Sequence, residues 1–168
     1  MNTIYFIELY EYNFWNNQRL WACFVQMSET EIRQPIDSDG WTLFRHCLHI
    51  ISVEDWWIRF LQTGEVKFLK RQTLTTRAAL RQQWDATEAM VRGYVAALSK
   101  EELQREVRPP FWDDDQFYIS VEQALTQVAF HSTDHRAQMF THMRNLGGPT
   151  VEQDFLQYLR AQQGKAAR

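Results

Sequence analysis

Apolar residues recur at spacings of three and four along four long stretches of the chain. This period places them on one face of an α-helix, so each stretch is predicted to form an amphipathic helix. The four predicted helices cover residues 4–27, 41–62, 75–98 and 120–146. A shorter helix is predicted over residues 152–160. Helices of this kind bury their apolar faces against one another, which predicts an all-α fold, a four-helix bundle with a short C-terminal helix.

Capping signals mark where two of the helical segments begin. Ser120 is followed three residues later by Gln123, and this spacing is typical of a capping box at the start of a helix. Ser99 and Glu102 have the same spacing and predict a short extra helical turn. Residues 109–115 contain two prolines and three aspartates, so we expect an ordered loop there.

The composition fits one globular domain that spans residues 1–168. Hydrophobic residues make up 45% of the chain, enough to build a packed core. The formal net charge is -3, so no electrostatic argument favours a nucleic-acid partner. Both cysteines, Cys23 and Cys47, occupy apolar helical positions, and we expect buried free thiols.

Targeting signals are absent from the sequence pattern. The N-terminal residues lack the basic and apolar regions of a signal peptide. No stretch approaches the roughly 20 apolar residues that a membrane-spanning helix requires. The sequence therefore predicts a soluble, cytoplasmic protein with no membrane partner.

His131 and His135 form an HxxxH pattern in the fourth long helix. Residues four apart share a helix face with Cβ atoms about 6 Å apart, so two imidazoles can converge on one metal ion. On a helical wheel His135 lies in the middle of the apolar arc and His131 lies at its flank. Spacing alone leaves a second interpretation equally open, in which both are core histidines that are hydrogen-bonded to neighbours.

Three further histidines, His142, His46 and His49, are also candidates for a metal ligand or a core position. His142 shares the inward face, but seven residues separate it from His135, about 10 Å along the helix, so we expect a core or partly solvated position. In the second helix His46 lies deeper in the apolar arc than His49. Almost every position of that helix is apolar, and the wheel alone would favour His46.

Several motifs follow one another along the chain. In the first helix, Tyr12 to Leu20 resembles a Y-x-x-W-A-N-x-x-L pattern, and in the second, Leu48, His49, Glu54 and Trp57 resemble L-x-H-x-x-x-x-E-x-x-W. In the fourth, His131, His135, Arg136 and Gln138 are similar to H-x-x-x-H-R-x-Q. Phe117-Tyr118 and the closing segment 154–159 add to the pattern, which covers nearly the whole chain. Together these motifs resemble those of the DinB family of metal-binding four-helix bundles.

The resemblance implies an up-down-down-up bundle whose metal ligands are His49, His131 and His135. His49 precedes Glu54 by five residues, as in the family pattern, so the motif register selects His49 where the wheel would select His46. At His142 the family usually has an apolar residue.

Three histidine ligands would leave one divalent ion, zinc or nickel, with an open coordination position, as in catalytic sites. The first hypothesis is a metal-dependent hydrolase in which metal-bound water attacks a small-molecule substrate that the sequence does not identify. The second is a thiol-dependent S-transferase or isomerase, since family relatives use low-molecular-weight thiols. The third is a noncatalytic metal-binding module of a stress response.

Other polar residues near the histidines are weaker candidates. Glu54 is interpreted either as an acceptor that orients a ligand or as a helix-packing residue, with equal weight. Asp134 points away from the histidine face on the wheel and is expected at the surface. Arg136 is expected to pair with a carboxylate, near the site or between helices. Trp112, in the loop of residues 109–115 (the acidic loop), is a candidate for the rim of a pocket. The core is expected to contain Trp15, Trp41, Trp57 and Trp84.

An outward aromatic stripe predicts association. Phe130 and Ala137 lie opposite the inward face of the fourth long helix, with Phe140 to one side. A large outward aromatic favours contact with another surface. Either the loop around Phe111 or the last helix covers the stripe within one chain, or the chain forms a two-fold homodimer. We favour the homodimer, which is also frequent among family relatives.

Overall fold

The computed structural model describes residues 2–166, which form seven α-helices and one small sheet. The helices are α1 (Thr3–Phe24), α2 (Glu29–Arg33), α3 (Leu43–Thr63), α4 (Arg77–Ala96), α5 (Lys100–Gln104), α6 (Val121–Asn145) and α7 (Phe155–Ala166). Strands β1 (Glu106–Val107) and β2 (Ile119–Ser120) pair antiparallel at the two ends of the acidic loop. A 3-10 turn, Arg71–Thr73, lies between α3 and α4.

The four predicted long helices are confirmed as α1, α3, α4 and α6, with ends within three residues of the prediction. The predicted C-terminal helix is found as α7, but it starts and ends later than residues 152–160. Ser120 and Gln123 form the expected capping box: each backbone N–H donates to the other residue's side-chain oxygen, at 2.8 and 3.3 Å. At the other end of α6, Gly147 has a φ of 73°, the left-handed conformation that commonly ends a helix.

Helix α2 was not predicted, although the sequence contains a signal for it. Ser28 caps the helix by accepting a hydrogen bond from the Glu31 backbone, and the Glu31 carboxylate accepts one from the Ser28 backbone. This is the S-x-x-E capping box that predicted the turn at Ser99. Ile32 is fully buried and anchors the short helix.

Helices α1 and α6 run parallel to each other. The Tyr10 hydroxyl donates to the Leu125 carbonyl at 3.0 Å, and further along both helices Arg136 donates to the Asn17 side chain at 2.7 Å. Residue numbers therefore increase in the same direction along both helices.

Helix α3 runs antiparallel to α6 and parallel to α4. His46 contacts His135 and Glu54 contacts Ser132, so numbers rise along α3 as they fall along α6. The charge of Arg81 on α4 acts on the Cys47 thiol of α3, and further along both helices Thr87 donates to Asp55 at 3.3 Å. Residue numbers therefore rise in the same direction along α3 and α4. These directions are those of the predicted up-down-down-up bundle.

The chain divides into two compact units, residues 1–10 with 47–132 and residues 11–46 with 133–168. The described core of the first includes Ile51, Ile58, Leu80, Trp84 and Leu125, all fully buried. The described core of the second includes Phe14, Leu20, Leu43, Met139 and Met143. Both cysteines are buried, and neither forms a disulfide within residues 2–166, as predicted. None of the helices found in residues 2–166 combines the length and apolar character that crossing a bilayer requires.

Candidate metal centre

His49 on α3 faces His131 on α6. Their Nε2 atoms lie 3.0 Å apart, and both side chains are half-buried. A hydrogen bond between two imidazoles needs one proton and one lone pair, so at least one of these nitrogens presents a lone pair toward the other ring. The two Nε2 atoms are therefore close enough to bind the same small ion.

His135 joins this pair because it lies one helical turn beyond His131 on the continuous helix α6. One ligand nitrogen from each of His49, His131 and His135 lies within 4.8 Å of the others. Helix geometry fixes the spacing of His131 and His135, as the HxxxH pattern predicts. The structure thus brings together the three histidines that the family register selects.

The donor set fits a divalent ion. Zinc–imidazole bonds of about 2.0–2.1 Å in a tetrahedron place ligand nitrogens about 3.3 Å apart, close to the 3.0 Å between His49 and His131. Burial lowers the pKa of His135, an effect that Asp134 and Gln138 partly oppose. A lowered pKa favours the neutral imidazole, which is the form that binds a metal. Three such ligands leave at least one coordination position of a tetrahedral ion open.

His46 lies outside this group, but it contacts one of its members. It is only 4% exposed, as its position on the wheel predicts, and its Nδ1 atom lies 3.2 Å from Nδ1 of His135. The Trp41 ring packs against His46 at 4.6 Å and against His135 at 5.9 Å between centroids. These contacts restrict the orientation of the His135 ring.

His142 also lies outside the group of three. Its half-buried ring packs 6.0 Å from the ring of His46, and it lines a shallow cleft with Pro35 and Leu146. The expectation of a core or partly solvated position is confirmed.

Glu54 is fully buried and accepts a hydrogen bond from the Ser132 hydroxyl at 2.7 Å. Ser132 is the neighbour of His131, so this bond joins α3 to α6 beside the histidines. This contact is one of helix packing, and the interpretation of Glu54 as an acceptor that orients a ligand stays a prediction. The contact of Ser132 was not predicted, and its signal in the sequence is its place directly after the inward-facing His131.

Arg136 is fully buried, and several neutral oxygens accept hydrogen bonds from its guanidinium. Its nitrogens donate to the side chains of Asn13, Asn17, Thr133 and Gln153, at 2.5 to 2.9 Å. The expected carboxylate partner is not among these acceptors. The missed signal is the pair of asparagines at positions i and i+4 within the apolar pattern of α1.

The remaining candidates lie at the surface. Asp134 is exposed, as predicted, and accepts a hydrogen bond from Gln138 at 3.0 Å. Trp112 is exposed and packs on Phe117. Phe130 is 62% exposed, so most of its side chain is accessible in the described part of the chain.

Comparison with known proteins agrees with this architecture. YfiT from Bacillus subtilis, described as a probable metal-dependent hydrolase with an unusual four-helix bundle topology, superposes with a TM-score of 0.56. The two chains are 18% identical over 86% of this chain and 87% of YfiT, so this likeness concerns the fold. No curated protein matches the sequence. The model of the DinB family matches residues 1–166. This chain therefore belongs to the DinB family.

Proposed function

We propose that this protein binds one divalent metal ion, zinc or nickel, on His49, His131 and His135, and that it is a metal-dependent hydrolase of a small molecule. The observation that carries the proposal is the convergence of three imidazole nitrogens within 4.8 Å. YfiT, which shares the fold, is described as a probable metal-dependent hydrolase. When bound, an ion on three imidazoles lowers the pKa of a water in its open position toward about 7.

The surrounding side chains would hold the ligands in place. His46 and Trp41 fix the ring of His135 from one side. The bond between Glu54 and Ser132 holds α3 against α6 next to His131. A ligand whose ring is already oriented loses less side-chain entropy when the ion binds, which raises metal affinity.

The hydrolase proposal is tested with a panel of ester, amide and phosphoester substrates, each assayed with and without a low-molecular-weight thiol. We expect turnover without thiol in the zinc- or nickel-loaded protein and none in a His135→Ala variant. Turnover that depends on the thiol would replace the hydrolase with the S-transferase or isomerase. Metal binding with no turnover in either arm would favour the noncatalytic module.

A further inference from the structure

A cationic cleft lies between α3, α4 and the segment that links them, within a single compact unit. Arg59 of α3 and two lysines of the linking segment, Lys67 and Lys70, line it. Asp55 and Phe68 are also among its lining residues. The cleft is built from side chains other than the three histidines, and neither its residues nor its chemistry are part of the proposed metal centre.

Arg59 is held in a fixed orientation. Its Nε and Nη2 atoms donate to the two carboxylate oxygens of Asp55, at 2.7 and 3.1 Å. The Asp55 side chain is 1% exposed, whereas that of Arg59 is 41% exposed. Thr87 donates to Asp55, and Gln83 donates to Thr87, so the carboxylate is itself anchored. The guanidinium is therefore presented at the cleft with Nη1 directed away from its partner.

Lys67 and Lys70 supply positive charge without a counter-ion. Among residues 2–166 neither ammonium group forms an ion pair or a side-chain hydrogen bond. Asp55 is the one carboxylate that lines the described cleft, and Arg59 neutralises it. The lining residues thus leave a local charge of two positive units on a chain whose net charge is -3.

One wall of the cleft is aromatic. Phe68 is 54% exposed and stacks on Phe111 with centroids 5.8 Å apart. Both rings pack against Trp56, which is nearly buried. Phe68 is thereby fixed beside the cationic groups, and a flat apolar group can pack against it.

We propose that this cleft binds a small molecule in which a phosphate-type dianion is joined to an aromatic or other flat apolar group. Arg59, Lys67 and Lys70 would bind the dianion, and Phe68 would pack on the apolar part. A dianion matches the two uncompensated charges, and a guanidinium held by a carboxylate keeps its remaining N–H donors for phosphate oxygens.

Phenyl phosphate is the probe, and isothermal titration calorimetry gives its affinity for the full chain. We expect saturable binding of one molecule per chain, weaker binding of inorganic phosphate and of the monoanion benzoate, and affinity that falls as salt rises. No saturable binding of phenyl phosphate, or equal affinity for benzoate, would overturn the proposal.

Variants locate the binding and separate it from the metal centre. In Lys67→Gln/Lys70→Gln we expect affinity for phenyl phosphate to fall about tenfold or more. Arg71→Gln is the matched control, since Arg71 lies in the same linking segment but does not line the cleft, and it should retain the affinity. His131→Ala should also retain it, whether or not zinc is present. Loss of binding in His131→Ala with full retention in the double lysine variant would place the phosphate at the histidines and contradict the cleft.

Discussion

His46 and His49 lie three residues apart on α3, yet the structure gives them different neighbours. His49 faces His131, whereas His46 contacts the Nδ1 atom of His135. Helical periodicity alone favoured His46 and did not indicate that His49 faces His131, because α3 is buried on nearly all sides and its apolar pattern has no clear polar face. The family register selected His49. On α6, which does have an exposed face, periodicity placed His131 and His135 inward without help.

We predict that His49→Ala abolishes stoichiometric metal binding while His46→Ala retains it. His49 would supply a ligand nitrogen, whereas His46 only orients the ring of His135, so its loss should weaken affinity by about tenfold to a hundredfold. Metal content after dialysis and zinc affinity by competition with a chelator measure the two effects. Full metal in His49→Ala together with none in His46→Ala would reverse the assignment.

Arg136 shows what sequence could not predict at the residue scale. The carboxylate expected beside Arg136 stays a prediction, and the structure adds neutral side-chain oxygens from α1, α6 and the segment before α7 as acceptors of its guanidinium. Neutral acceptors can satisfy a guanidinium as carboxylates do, and the choice between them depends on which helices meet. Long-range contacts of this kind leave only a weak trace in a single sequence.

Glu102 offers a prediction about pH. The hydrogen bond from Arg105 lowers the pKa of Glu102 below its ordinary value of 4.5, with burial opposing and Tyr94 and the Arg105 charge adding to the decrease. A lowered pKa in the folded state contributes stability above pH 4.5, and this contribution is lost as the pH falls through the lowered value. We expect Glu102→Gln to reduce the free energy of unfolding by about 0.5–1 kcal/mol at pH 7.

Urea denaturation at pH 7 and at pH 3 measures this difference, with Glu106→Gln as the exposed control. The gap between Glu102→Gln and the parent chain should shrink at pH 3, and the control should match the parent at both values. A gap that is constant with pH would mean that the ionised carboxylate contributes nothing.

At the scale of elements, length decided what could be predicted. The four long helices carry enough periodic positions to be recognised, whereas α2 has five residues and the two strands have two each. Such short elements depend on caps and on tertiary contacts more than on their own pattern. For α2 the Ser28 cap was nevertheless visible in the sequence.

We expect Ser28→Ala to reduce the free energy of unfolding by about 1 kcal/mol, because the cap satisfies a backbone N–H at the start of α2. Ser38→Ala, an exposed serine in the following turn, is the matched control and should change stability by less than about 0.5 kcal/mol. Thermal or urea unfolding measures both. Equal stability of the two variants would show that the cap does not stabilise the fold.

At the scale of the whole molecule, we propose a homodimer formed through the outward face of α6. Phe130 is 62% exposed, whereas Phe140, beside the stripe, is buried. Burial of two Phe130 side chains would contribute on the order of 3–6 kcal/mol before association costs.

Light scattering after size exclusion tests this proposal. We expect twice the 20.1 kDa mass of one chain, and we expect Phe130→Asp to return metal-binding monomers. A parent mass near 20.1 kDa at micromolar concentration would exclude the dimer. A dimer that persists in Phe130→Asp would place the interface elsewhere.

The metal content of the untagged protein tests the central claim most directly. After incubation with zinc or nickel and removal of excess ion, elemental analysis should give close to one ion per chain. His131→Ala and His135→Ala should each give almost none, with a helical circular-dichroism spectrum preserved. One ion per chain in both variants, or none in the parent protein, would contradict a metal centre built on His49, His131 and His135.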